Sequence, residues 1–167
     1  TDFKDIDPYR AGVIIGCGIG GIGLTLSEHE KFQSKGVNRV SPFYVPMMIG
    51  NMAAGQISMK TGFKGDNFST VTACASGTHA VGESFRKIKD GYLDIALCGG
   101  TESAVLRFTL AGFNNMKALS KAEDPERASI PFDKDRSGFV LGEGCGILVL
   151  EEYEHAKARG ANIYAEV

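Results

Sequence analysis

The 167-residue chain carries little net charge, −2 from 18 basic and 20 acidic side chains. That excludes bulk electrostatic capture of nucleic acid or of an anionic membrane surface. Long apolar runs are missing as well: glycine or polar residues interrupt each within about ten positions, too few to span a bilayer. Cysteines are few, Cys17, Cys74, Cys98 and Cys145, and none forms a C-x-x-C pair. No His or Cys stands at zinc-ligand spacing, so no structural metal is expected. No low-complexity segment and no internal repeat occurs. The polar start, Thr1-Asp2-Phe3-Lys4-Asp5, has no signal-peptide character. Unpaired thiols of this kind fit a reducing, cytoplasmic compartment.

What is present is an ordinary globular balance, 43% hydrophobic and 23% charged, with 22 glycines gathered near strand ends. Ala11 to Gly16 reads as a buried strand ending at a glycine turn. A helix follows in Gly20–Ser34, and another is expected from Met47 to Lys60, stopped by Gly62. Phe68 to Thr72 reads as a strand. The helix after Cys74 repeats Val81, Phe85 and Ile88 at helical spacing and ends at Gly91. Asp94 to Cys98 reads as a buried strand ended by Gly99-Gly100. Residues 114–137 are polar and turn-rich. Residues 138–150 carry one or two strands, Glu151 to Arg159 a short helix, and Ala161 to Val167 a last strand that stops with the chain. Strand-helix-strand order with continuous apolar strands implies an α/β fold, a mostly parallel sheet with helices on both faces. The abrupt stop suggests a piece of a longer protein.

Thr72-Ala73-Cys74-Ala75-Ser76-Gly77 is the segment that speaks most directly of chemistry. It places a cysteine at a strand-to-helix corner, where the helix field favours thiolate, the nucleophilic form. Ala73, Ala75 and Gly77 leave room around the sulfur, and the Cys74 N–H itself can face a developing oxyanion. Cys17, Cys98 and Cys145 sit in apolar, glycine-rich contexts and read as small buried hydrophobes. A cysteine nucleophile wants a basic partner, and none assembles locally. His79 is five residues on, about 140° around the helix axis, and faces away. His29 and His155 read as surface residues.

Gly16-Cys17-Gly18-Ile19-Gly20-Gly21 contains a G-x-G-x-x-G and invites a dinucleotide-binding reading. The stretch where a second strand should end in an acidic residue, residues 35–42, is loop-like instead. The competing readings are a tight turn under close backbone packing, or one wall of a substrate channel. Lys35, Arg39, Lys117 and Lys121 are either scattered surface charge or a patch for an acidic partner.

These segments resemble the N-terminal half of the β-ketoacyl-[acyl-carrier-protein] synthases, the condensing enzymes of type II fatty-acid elongation. The resemblance covers essentially the whole chain. It rests on the glycine loop, on Ser41-Pro42-Phe43-Tyr44-Val45-Pro46 and on Asn51-Met52-Ala53-Ala54-Gly55. It rests most on the Cys74 segment, on Gly99-Gly100-Thr101-Glu102 and on the run from Pro131 to Gly144. It implies a thiolase-like fold of two similar halves, residues 1–167 being the first. It implies that Cys74 accepts an acyl chain from acyl carrier protein and that malonyl carrier protein then condenses with it, no cofactor being needed. Ile19 matches the family's gate to the acyl pocket, and Tyr44, Val45 and Ile49 match pocket-lining positions, the Tyr44 segment reaching across a homodimer interface. Lys35, Arg39 and Lys117 fall where carrier protein docks. The family's catalytic histidines lie in its C-terminal half, so residues 1–167 alone are expected to be inactive. Two other classes remain: a noncatalytic chain-length partner or dimerisation module, and a dinucleotide-dependent oxidoreductase.

Overall fold

A computed structural model describes Phe3 and residues 5–167. Thr1, Asp2 and Lys4, part of the polar start, lie outside the described residues. The chain falls into two compact units, Thr1–Glu102 with Cys145–Val167, and Ser103–Gly144.

The first unit is built on β1 (Ala11–Gly16), every residue of which is buried. It lies between β2 (Asn67–Phe68) and β3 (Ile95–Glu102), parallel to both, and β4 (Gly144–Glu151) flanks β3 on the outside. Alternation along β1 sends its residues to opposite faces. Ala11, Val13 and Ile15 join Ile95 and Leu97 in an apolar core with Ala54, Phe63, Ala53 and Ile57. Ala53, Ala54 and Ile57 belong to α3 (Met52–Thr61), which covers that face. The opposite face, at Gly16 and Gly100, carries α4 (Ser76–Lys89). A β-carbon on Gly16 would stand 2.2 Å from the Ser76 carbonyl carbon, and one on Gly100 would stand 3.0 Å from the Gly77 Cα. Side-chain-free backbone at these points lets the helix start rest directly on two strands. Helices on both faces of a mostly parallel sheet are thus as expected.

The face that α4 turns to the sheet differs from the expected stripe. Ser76, Ala80 and Ser84 are its buried residues, whereas Phe85 is 36% exposed. Close approach to glycine-bearing strands selects the smallest side chains, and the bulky Val81, Phe85 and Ile88 row is displaced to the flank.

Four boundaries also differ. The expected helix from Met47 to Lys60 is two helices, α2 (Tyr44–Met48) and α3, separated at Ile49–Asn51. The break frees the Met48 carbonyl, which a continuous helix would commit to Met52, to accept the Gly21 N–H at 2.9 Å. The second strand stops at Phe68: there the Ser69 hydroxyl donates to the Ile15 carbonyl at 2.6 Å in place of a ladder N–H, although the Cys17 N–H still reaches the Thr70 carbonyl at 3.2 Å. Beyond Gly99-Gly100, β3 runs on to Glu102: a β-carbon at Gly99 would lie 2.0 Å from the Gly146 carbonyl oxygen, so these glycines admit the neighbouring strand rather than end their own. Ala161–Val167 is not a strand.

α1 (Ile22–Lys35) packs beside α2. Its buried Glu28 accepts the Ser41 N–H at 2.7 Å and pairs with Lys31, and these contacts hold its carboxyl below the usual range. α6 (Tyr153–Ala158) follows β4 and is capped by Glu152, whose carboxylate accepts the His155 N–H at 2.7 Å. In the second unit, α5 (Arg107–Asn115) has no counterpart among the expected elements. There Leu119 bridges Phe139, whose ring meets Phe113 edge-on at 5.4 Å between centroids.

Candidate active site

Cys74 lies in a single 3-10 turn, Ala73–Ala75, that runs straight into α4. Its side chain is exposed. The turn is tight: Ala73 adopts φ +52°, a left-handed conformation that costs a non-glycine residue about 1 kcal/mol. Ser76 holds it closed, its hydroxyl accepting the Thr72 N–H at 2.8 Å and donating to the Ala73 carbonyl at 2.7 Å. Thr70 anchors the following turn by donating to the Ser76 carbonyl at 2.7 Å. An exposed sulfur is therefore presented on a braced backbone at the sheet's edge, ahead of a helix N-terminus.

The glycine loop stands beside this turn. A β-carbon on Gly18 would lie 3.9 Å from the Ala73 carbonyl oxygen. Gly20 adopts φ +79° and lies against the backbone of Met48 and Gly50. The loop thus joins the Cys74 turn to the α2 segment. Of the residues expected to line a pocket, Ile19, Val45 and Ile49 are exposed by 46%, 59% and 40%. Tyr44 is half-buried, its hydroxyl donating to Thr25 of α1 at 3.4 Å. Among the residues of the first unit, then, the expected pocket wall and the expected nucleophile are linked through one loop.

That loop is not a phosphate cradle. The N–H groups of Gly18 and Ile19 both donate to one Glu102 oxygen, each at 2.9 Å. A carboxylate already occupies the place a pyrophosphate would need, and the next strand, β2, comes only at Asn67. This removes the dinucleotide reading. Residue types and spacing along the chain give Glu102 no role, since a strand ended by Gly99-Gly100 stops short of it. The only signal was its place in Gly99-Gly100-Thr101-Glu102.

Lys35 closes α1 and Arg39 closes the 3-10 turn after it, both exposed; Lys117 is exposed in the second unit at φ +61°. The other thiols divide. Burial pushes the Cys17 thiol up, with the Glu102 charge adding to it, and burial does the same to Cys98. Cys145, expected to be buried, is exposed, because no layer of the described residues covers β4 there. His79 Nδ1 is 2.7 Å from the Thr72 hydroxyl, so it braces the nucleophile turn. His155 is not a plain surface residue either: its Nδ1 is 2.6 Å from Glu151. Among the described residues no group of three His, Cys, Asp or Glu side chains gathers as a metal site requires. No helix among them is long and apolar enough to cross a membrane.

A cysteine on a strand-to-helix turn, over a mostly parallel sheet sandwiched by helices, defines a thiolase-like half. The chain belongs to the β-ketoacyl synthase family, residues 2–156 matching the model described as "Beta-ketoacyl synthase, N-terminal domain". Its curated relatives include 3-oxoacyl-[acyl-carrier-protein] synthase 2 of Rhizobium meliloti (strain 1021), 51% identical over 98% of this chain and 39% of that protein. The protein of the same name from Synechocystis sp. (strain ATCC 27184 / PCC 6803 / Kazusa) is 52% identical over 98% of this chain and 40% of its own length. The chain thus spans about two fifths of the relatives it matches. Among solved structures, a β-ketoacyl synthase from Burkholderia phymatum STM815 superposes with TM-score 0.85 at 33% identity, covering 97% of this chain and 40% of that one. A type II polyketide acyl-carrier protein in complex with its ketosynthase gives TM-score 0.87 at 33% identity, over 98% of this chain and 42% of that chain.

Proposed function

We propose that this chain is the nucleophile-bearing N-terminal half of a 3-oxoacyl-[acyl-carrier-protein] synthase of fatty-acid biosynthesis. The observation that carries the reading is the exposed Cys74 on its braced turn at the start of α4. The Cys74 thiolate attacks the thioester carbonyl of acyl-carrier protein; the oxyanion collapses, the carrier's phosphopantetheine thiolate leaves and an acyl-cysteine remains. Malonyl carrier protein then releases carbon dioxide, and the resulting carbanion attacks the acyl-cysteine carbonyl. Cys74 thiolate departs, and the carrier holds a 3-oxoacyl chain longer by two carbons. The N–H of Cys74 supplies one oxyanion donor. The histidines that assist decarboxylation belong, by family pattern, to the other half of the protein.

Ile19, Tyr44, Val45 and Ile49 line the acyl path, a reading supported by the exposure of Ile19, Val45 and Ile49 beside the glycine loop. Lys35, Arg39 and Lys117 meet the acidic carrier protein; the similar ketosynthase solved with its carrier supports that partnership. The full-length protein works as a cytoplasmic homodimer. In the test, full-length protein is incubated with acyl-carrier protein, and intact mass and peptide mapping follow. One acyl group on Cys74, absent from a folded Cys74→Ser variant, is the expected result. A label that persists in that variant removes the assignment, and no label on the wild type points to a noncatalytic partner subunit.

A further inference from the structure

The carboxylate of Glu102 serves three consecutive residues of the glycine loop. One oxygen accepts the N–H of Gly18 and of Ile19, each at 2.9 Å, and the other lies 3.6 Å from the Cys17 sulfur. Two successive N–H groups aimed at one point form an anion-binding concavity, and here the anion is the protein's own side chain. The far end of the loop is fixed separately, by Gly21 donating to the Met48 carbonyl at 2.9 Å. Between the two anchors the large side chain is Ile19, 46% exposed. Gly18 is wedged: a β-carbon there would be 3.0 Å from the Glu102 oxygen and 3.9 Å from the Ala73 carbonyl oxygen. Between the Cys17 N–H, held by the Thr70 carbonyl at 3.2 Å, and Gly21, the Gly18 and Ile19 N–H groups are held by the carboxylate.

We propose that Glu102 is a positioning residue, holding the Gly18–Ile19 backbone beside Cys74 and so setting how well long acyl chains reach the sulfur. The consequence for acyl chains rests on the acyl-transfer reading above; the clamp itself does not. A short acyl group reaches Cys74 without using the loop, whereas the added methylenes of a long one pack against Ile19 and need it preorganised. Glu102→Gln keeps an amide oxygen that can accept both N–H groups, and Glu102→Ala keeps none.

The test uses the full-length protein. Hydrogen exchange reports the Gly18 and Ile19 amides, and acylation of Cys74 is timed with butyryl- and dodecanoyl-carrier protein. Glu102→Ala is expected to exchange those amides faster and to lower the dodecanoyl-to-butyryl rate ratio about tenfold, with Glu102→Gln within about threefold of wild type. If Glu102→Ala does not fold, Glu102→Asp, which keeps the charge but withdraws the oxygens, is expected to show the same two changes. Equal losses at both chain lengths, or unchanged amide exchange, overturn the proposal. A wild type that is not acylated at Cys74 refutes the acyl-transfer reading instead, and the exchange data still judge the clamp.

Discussion

Ser76 does more for the nucleophile turn than any other single side chain. It is 4% exposed, and its hydroxyl closes the turn from both sides, through Thr72 N–H and the Ala73 carbonyl. Those bonds hold Ala73 at φ +52° against its intrinsic preference. Ser76→Ala is expected to destabilise the full-length protein by about 1–3 kcal/mol, since the Thr72 N–H loses its acceptor. Urea unfolding measures the loss. Acylation of Cys74 should slow in the same variant, because the sulfur is then presented on a looser turn. At this scale the sequence was informative about Cys74, whose small neighbours and strand-helix position are local facts. It was silent about Glu102, whose importance comes from N–H groups more than eighty residues earlier in the chain.

Between elements, a carboxylate near the sheet's end does comparable work. Glu151 closes β4 with its side chain 7% exposed, and both its oxygens receive the Arg159 guanidinium, at 2.7 and 2.6 Å. Burial alone would raise its pKa; the Arg159 and His155 contacts outweigh it and leave the carboxyl below the usual range. Asp94, at the entry to β3, is held low chiefly by Arg10. A depressed carboxylate pKa contributes stability that is present above the unfolded value, about 4, and is lost as pH falls through the lower folded value. Stability is therefore expected to decline below about pH 4, and Glu151→Gln should flatten that acid limb while costing about 1 kcal/mol at neutral pH. Urea midpoints measured from pH 7 down to pH 3 check this; parallel limbs for the two proteins would refute it. The paired helices α2 and α3 belong to the same scale. Apolar spacing continues from Met48 to Met59, so periodicity joins them, whereas the Met48 carbonyl at the break accepts the Gly21 N–H from a distant loop.

For the molecule as a whole, the outer strand is the telling feature. β4 has the composition of a core strand, yet Ile147, Leu148 and Val149 are 37%, 51% and 43% exposed. Exposed apolar surface at a sheet edge drives association. Residues 1–167 expressed alone are expected to self-associate or aggregate and to bind a hydrophobic dye, with size-exclusion chromatography and light scattering as the readout. A monodisperse monomer that unfolds cooperatively and binds no dye would contradict this. The resemblance explains the exposure in part, since the curated relatives are about two and a half times as long as this chain.

By itself the sequence determined the local chemistry: a cysteine between a strand and a helix, a glycine loop after the first strand, and a strand-helix alternation that implies a mostly parallel sheet. These follow from residue type and spacing along the chain, which act over a few positions. Only the tertiary structure decided which side chain fills the glycine loop, which face of α4 meets the sheet, and where the second strand and the Met47–Lys60 helix break. Each of those depends on which distant backbone comes within hydrogen-bond or van der Waals range, and such ranges of a few ångströms are set by folding rather than by neighbours in sequence.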